Sequence, residues 1–219
     1  MTEQAPSRRT IPWRGLTLFA IAALATFAFV AIADELREGD IDAIDTTIAL
    51  AVHTAQTRIL DYVMIAFTYI GSGPVLIASI ALVSLWAVKR GRRGFAVVLV
   101  VNSIAAMVLN PLLKQVFSRA RPTLFEVIAR PDSYSFPSGH SMSAMSIYGA
   151  LAAVAIALRP SARLPIVIAA TLLVACIGIS RVYLGAHWPM DVLAGWAAGV
   201  PLVVVTVHLL HRLGRASVD

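Results

Sequence analysis

Lys114, Arg121, His140, Arg181, His187 and Asp191 are the residues whose types and spacing could do chemistry. They fall in three clusters: Lys114-x6-Arg121-Pro122, then Pro137-Ser138-Gly139-His140, then Ser180-Arg181-x5-His187-x3-Asp191. Three cations at the ends of apolar runs call for an anion, because ionisable groups at such depth are costly and usually functional. Phosphate meets the need. Its oxygens match guanidinium forks, and lysine adds a point charge. Ser138-Gly139-His140 opens an apolar run. A helix starting there offers free backbone N–H groups and a positive dipole end. Gly139 permits close backbone approach, and Ser138 can cap the helix or donate to a phosphate oxygen.

The two histidines complete a reaction. His187 and Asp191 are four residues apart, with Pro189 at a plausible first-turn position. A carboxylate at that spacing holds one imidazole nitrogen and leaves the other lone pair facing the anion. That is an oriented nucleophile for covalent catalysis. His140 can protonate a leaving alkoxide and then deprotonate an attacking water. The cations stabilise the phosphoryl group in transfer. Taken singly, Arg121 and Arg181 read as headgroup anchors, His140 as a satisfied helix-start residue, and His187–Asp191 as a plain surface pair. The joint pattern favours chemistry. Arg119 points away from Arg121 if the segment is helical, which gives it a headgroup or structural role. Trp188 adjoins His187 and could shape the pocket, but reads first as an interfacial anchor.

The elements that must position these groups lie in lipid. The chain has 219 residues, 58% hydrophobic and 14% charged, with mean hydropathy +0.79. A soluble domain is nearer 45–50% apolar and about 25% charged. No polar block is long enough to form a separate soluble enzyme, so the whole chain reads as one all-α membrane domain. The lone cysteine, Cys176, lies in an apolar run and reads as a structural thiol. Apolar runs long enough for a bilayer core lie near Leu16–Ile32, Phe95–Leu113, Ser141–Leu158, Leu164–Ile179 and Val192–Leu210. Ile59–Val88 is broken by Gly71-Ser72-Gly73-Pro74. Ile59–Ile70 reads as an interfacial or re-entrant piece and Pro74–Val88 as the second span. The prediction is a six-transmembrane-helix bundle with an interfacial segment, Ile41–Thr57, after the first span.

Six spans bring all three clusters to one membrane face by counting alone. The opposite, terminal side holds Arg8, Arg9, Arg14, Lys89, Arg90, Arg92, Arg93, Arg159, Arg163, Arg212 and Arg215, out of 18 Lys and Arg. Arg130 falls with the minority on the motif face. This excess places the termini in the cytoplasm and the clusters outside it. The net charge of +6 thus reads as topology signalling and attraction to anionic lipid rather than nucleic-acid binding. Ala31-Ile32-Ala33 resembles a signal-peptidase site, but the run is long for a signal peptide and reads as a retained span. Asn102 and Asn110 should bond across helices, and Gly195-x3-Gly199 marks close helix packing, with dimerisation the lesser reading.

The three clusters, in this order, resemble the signature of the type 2 phosphatidic acid phosphatase superfamily. That group includes lipid phosphate phosphatases, undecaprenyl-diphosphate phosphatases and vanadium haloperoxidases. Every defining position is filled, over Lys114–Asp191. The resemblance implies a phosphohistidine at His187, held by Asp191, with His140 as acid and base. It implies phosphate binding by Lys114, Arg121, Ser138, Gly139 and Arg181. It implies no cofactor and no metal. The partners expected are a lipid phosphate substrate and membrane lipids; the sequence leaves the oligomeric state open. Phosphatidic acid, phosphatidylglycerophosphate, undecaprenyl diphosphate, diacylglycerol diphosphate and a lipid A phosphate all remain open as substrates. Transfer to an acceptor alcohol and a non-catalytic lipid-binding scaffold are the alternative readings.

Overall fold

The computed structural model describes residues 13–124 and 133–216. Arg8, Arg9 and Arg130 lie outside the described residues, as do the side chains of Arg14 and Arg215. The chain forms eight helices among the described residues. They are α1 (Trp13–Glu38), α2 (Asp42–Thr54), α3 (Arg58–Ile70), α4 (Gly73–Lys89), α5 (Arg93–Phe117), α6 (Gly139–Leu158), α7 (Arg163–Tyr183) and α8 (Pro189–Ala216). A 3₁₀ turn, Pro160–Ala162, joins α6 to α7. Spans of this kind must be helical, because lipid offers no partner for an open backbone N–H or C=O.

Five of these helices are long and apolar enough to cross a bilayer: α1, α5, α6, α7 and α8. α3 and α4 are long and apolar enough as a pair, bent by 51° at Gly71-Ser72, which is the geometry of a broken span or a re-entrant loop. The expected helix break is present, and α4 by itself runs for 17 residues. Contacts with α7 hold α3 in place. Asp61 accepts the Tyr183 hydroxyl at 2.7 Å, and Ser180 Oγ bonds Thr68 Oγ1 at 3.2 Å. Thr57 caps α3 by accepting the Leu60 N–H, which sets the entry angle of that arm.

The interior is formed where α6 packs on α5, α7 and α8. Leu99, Ile147, Ala150 and Val154 make its apolar centre, with Leu76, Ile80 and Leu210 around them. A polar seam crosses it. Asn102 donates to the Ser146 carbonyl, and the Ser146 and Thr206 hydroxyls donate to Asn102 Oδ1. Burial of a carboxamide is tolerable only with such partners. Asn110 donates to the Pro137 carbonyl. Both asparagines thus bond across helices as expected.

Between α6 and α8 the packing depends on glycine. A Cβ on Gly195 would stand 2.7 Å from the Ser138 carbonyl oxygen, and one on Gly199 would stand 2.8 Å from Met145 Cβ. Gly195-x3-Gly199 is therefore a seam inside the bundle. Gly195→Val should lower the thermal midpoint in detergent, with a loss on the order of 1–3 kcal/mol typical of overpacking. Gly15→Ala, where nothing stands within 4 Å, should leave the midpoint in place. Equal midpoints for both variants would contradict the close-packed seam.

Candidate active site

Local signals at the ends of α5, α6, α7 and α8 bring the site together. α5 stops at Ser118, which takes a left-handed conformation at φ 48° and bonds its N–H to the Lys114 carbonyl. The chain therefore reverses at once, and Arg119 is not on a helix. α6 opens on Ser138, whose Oγ accepts the Ser141 N–H at 3.4 Å and the Ser141 hydroxyl at 3.0 Å. α8 opens on Pro189, a residue suited to the first helical position, with Asp191 in its first turn. The Ser138 N–H bonds the Asp191 carbonyl at 2.9 Å, which ties the second motif to the third.

His187 and Asp191 form the pair the spacing predicts. His187 Nδ1 lies 3.3 Å from Asp191 Oδ2, and both residues are buried. The other ring nitrogen, Nε2, lies 3.2 Å from Arg121 Nη1. A guanidinium can only donate, so Nε2 must accept and Nδ1 must carry the proton. The resting tautomer therefore points a lone pair at Arg121. Burial pushes the imidazole down to about 4; Asp191 favours the charged form, while Arg181 and Arg121 oppose it.

The cations converge as predicted. Arg121 donates to the Ser133 and Ala186 carbonyls, at 2.7 and 2.6 Å. Lys114 donates to the carbonyls of Tyr134 and Ser135. Arg181 is buried at the end of α7 and bonds Thr68 Oγ1. Its buried Nε–H meets no acceptor among the described residues. His140, half-buried in the first turn of α6, lies within electrostatic reach of Arg181, His187, Arg121 and Lys114. Gly139 is in close contact too: a Cβ there would stand 2.9 Å from Asn110 Oδ1. All eight site residues expected from the sequence thus meet at one end of the bundle.

Four further residues were not among them. Arg119, read as a headgroup or structural group, is buried and reaches inward to Asp191 Oδ1 at 2.9 Å. It also bonds Asp45 and Asp42 of α2, at 2.8 and 3.0 Å. Ser135 donates its hydroxyl to Asp191 Oδ2. Thr68 braces Arg181. Trp188 is more than an anchor. Its backbone N–H donates to Asp191 Oδ2, its indole N–H to the Ala120 carbonyl, and its ring lies under Arg119 at 5.5 Å. Burial lowers the affinity of Arg119 for its proton, but Asp191 and Asp45 outweigh that and hold it above its usual value. Burial raises the Asp45 carboxyl above the usual carboxylate range, with Met190 N–H and Arg119 pulling it back. No sequence signal marks Arg119, because the burial of its partner Asp45 appears only in the fold.

Such a site can bind a phosphate and offer it a neutral imidazole. Comparison with known proteins gives the family. The family model of the PAP2 superfamily matches residues 95–215. The chain belongs to the PAP2 superfamily. It is 30% identical to phosphatidylglycerophosphatase B of Bacillus subtilis, over 85% of this chain and 93% of that protein. It is 31% identical to undecaprenyl-diphosphatase of Sulfolobus acidocaldarius, over 70% of this chain and 72% of that one. A crystal structure of a transmembrane PAP2 type phosphatidylglycerolphosphate phosphatase from Bacillus subtilis matches the fold with a TM-score of 0.78. That match covers 93% of this chain and 97% of that chain at 26% identity. This PAP2 protein is a lipid phosphatase with an all-α, multi-pass membrane fold.

The lowered value at His187 has a checkable consequence. Its folded value lies near 4 against an ordinary 6.5. Between those pH values the folded chain refuses a proton that the unfolded chain takes. The stability it contributes is complete above pH 6.5 and is lost as pH falls through about 4. In histidine-labelled enzyme, nitrogen NMR should show His187 neutral at pH 6, with the proton on Nδ1. An imidazolium at that pH would contradict the assignment.

Proposed function

We propose that this lipid phosphatase hydrolyses membrane lipid phosphate monoesters or diphosphates through a phosphohistidine at His187. The observation that carries the reading is the placement of the His187 ring, with Nδ1 at 3.3 Å from Asp191 Oδ2 and Nε2 at 3.2 Å from Arg121 Nη1. Asp191 thus accepts the Nδ1–H, and the Nε2 lone pair faces the guanidinium. A phosphate bound there by Arg121, Lys114 and Arg181, and by the N-terminus of α6 at Ser138-Gly139, presents its phosphorus to that lone pair. The unmatched Nε–H of Arg181 supplies one donor for a phosphate oxygen.

In the first step a bond forms between His187 Nε2 and phosphorus, and the bond from phosphorus to the lipid oxygen breaks. His140 gives its proton to that oxygen. In the second step water attacks phosphorus, His140 takes a water proton, and the nitrogen–phosphorus bond breaks. The cations lower both barriers by holding the charge of the three equatorial oxygens. No step calls on a metal.

The substrate is an amphiphile because the site lies at the end of a lipid-embedded bundle. The relatives' names, with phosphatidylglycerophosphate and undecaprenyl diphosphate among them, support the same class. The excess of Lys and Arg on the opposite side supports an extracytoplasmic site and cytoplasmic termini.

Purified enzyme in detergent with EDTA should release phosphate from phosphatidic acid, phosphatidylglycerophosphate or undecaprenyl diphosphate. His140→Ala should lower kcat by about 10²–10⁴-fold, the typical worth of general acid–base catalysis. His187→Ala should lose more. Full turnover in His187→Ala, or loss of wild-type activity on chelation, would overturn the reading.

A further inference from the structure

Asp45 lies on α2, outside the three motifs and outside the residues matched to the family, yet it is fully buried. Both of its oxygens are engaged. Oδ1 accepts the Met190 N–H at 2.8 Å, and Oδ2 accepts Arg119 Nη2 at 2.8 Å. Arg119 passes the contact on: its Nη1 meets Asp191 Oδ1 at 2.9 Å. The other oxygen of Asp191 faces His187 Nδ1. A helix with an exposed apolar side (Ile44 and Ile48) thus reaches the reacting imidazole through one guanidinium and one carboxylate.

We propose that Arg119 and Asp45 are positioning residues of this phosphatase: Arg119 keeps Asp191 charged and turned toward His187, and Asp45 fixes Arg119 and the first turn of α8. The proposal rests on the reading of His187 as nucleophile and Asp191 as its holder.

The physical need is specific. A buried carboxylate without a cation takes up a proton, because burial penalises the charged form. Protonated, Asp191 would no longer draw the Nδ1–H of His187, and the nucleophilic tautomer would lose its hold. Ser135 and the Trp188 N–H orient Asp191 but are neutral. Lys114 lies within reach of Asp191, but its ammonium is bonded to the Tyr134 and Ser135 carbonyls. Arg119 is the cation in direct contact. Its planar fork gives one edge nitrogen to Asp191 and the other to the α2 acids, a division lysine is unable to reproduce. The Trp188 ring beneath it adds a flat seat. Without Asp45, that arm keeps only the exposed Asp42, at 3.0 Å, and the guanidinium is held less firmly.

The groups facing this carboxylate are Arg119, Lys114, His187 and, behind Arg119, Asp45; Arg121 and Arg181 act on His187, and His140 lies beside them. Arg119→Gln removes a positive charge and leaves Asp45 and Asp191 facing each other. The pKa of His187 then rises. The acid limb of kcat should move up by about one pH unit. The value of kcat should fall about 10–100-fold, the usual cost of losing a supporting partner. KM and inhibition by vanadate, a phosphate mimic, should stay within about threefold, since the phosphate cradle is untouched. Asp45→Asn keeps the shape and should lower kcat about tenfold with the same retention. The double variant removes one of the two like charges, so its acid limb should move back toward wild type.

The measurement is a kcat–pH profile with vanadate inhibition, on short-chain phosphatidic acid in detergent micelles, with His187→Ala as reference. Wild-type kcat in Arg119→Gln beside an inactive His187→Ala would overturn the positioning role alone. So would joint loss of kcat and vanadate inhibition in Asp45→Asn with the acid limb unmoved, the mark of a packing role. Activity in His187→Ala would instead overturn the nucleophile on which the proposal rests.

Discussion

Asp191 is a fully buried carboxylate at the lipid boundary, and most of the site is arranged around keeping it ionised and aimed. One oxygen accepts Arg119. The other accepts His187 Nδ1, the Ser135 hydroxyl and the Trp188 N–H. The four donors come from three stretches of chain, so the carboxylate fastens together the end of α5, the approach to α6 and the start of α8. Its hold on Nδ1 leaves the opposite lone pair of His187 facing Arg121. That single arrangement gives the proposed nucleophile its base form, which burial then preserves far below neutral pH.

The membrane fold supplies the rigidity this needs. α6 and α8 approach at the distance of glycine against backbone, so Ser138 and Asp191 sit in direct backbone contact. The aromatic cluster of Phe29, Phe117 and Phe136 binds α1 to the segment leading into α6. The bent α3–α4 pair brings Thr68 to Arg181 and sets Gly71 beside His140. Helices that shed lipid-facing apolar side chains outward can therefore keep a small polar volume at one end. Carbonyl oxygens of the 133–135 segment accept from Lys114 and Arg121 and so hold both cations toward the site.

Much of this was legible in the residues. Long apolar runs give helices, and polar groups are so rare in them that Lys114, Arg121, Arg181, His140, His187 and Asp191 stand out. Counting spans puts them at one end. The Gly71-Ser72-Gly73-Pro74 break was legible as a break, but not what holds α3 against α7. The Asp61–Tyr183 and Thr68–Ser180 contacts that do so join residues more than a hundred positions apart. For Arg119 the sequence leaves a headgroup or a structural role open, and its inward contact with Asp191 depends on Ser118, whose left-handed turn ends α5 just before it. Ser135 and Asp45 carry no pattern of their own. Their roles come from what the fold sets opposite them.

The account stands on the imidazole of His187 forming a bond to phosphorus. Rapid acid-free quenching of the enzyme with a lipid phosphate carrying radiolabelled phosphorus, followed by peptide mapping, tests this directly. The account predicts acid-labile, base-stable label on the peptide containing His187, and none on that peptide in His187→Ala. Turnover that leaves no label on His187 at any quench time, or label fixed on another residue, would contradict it.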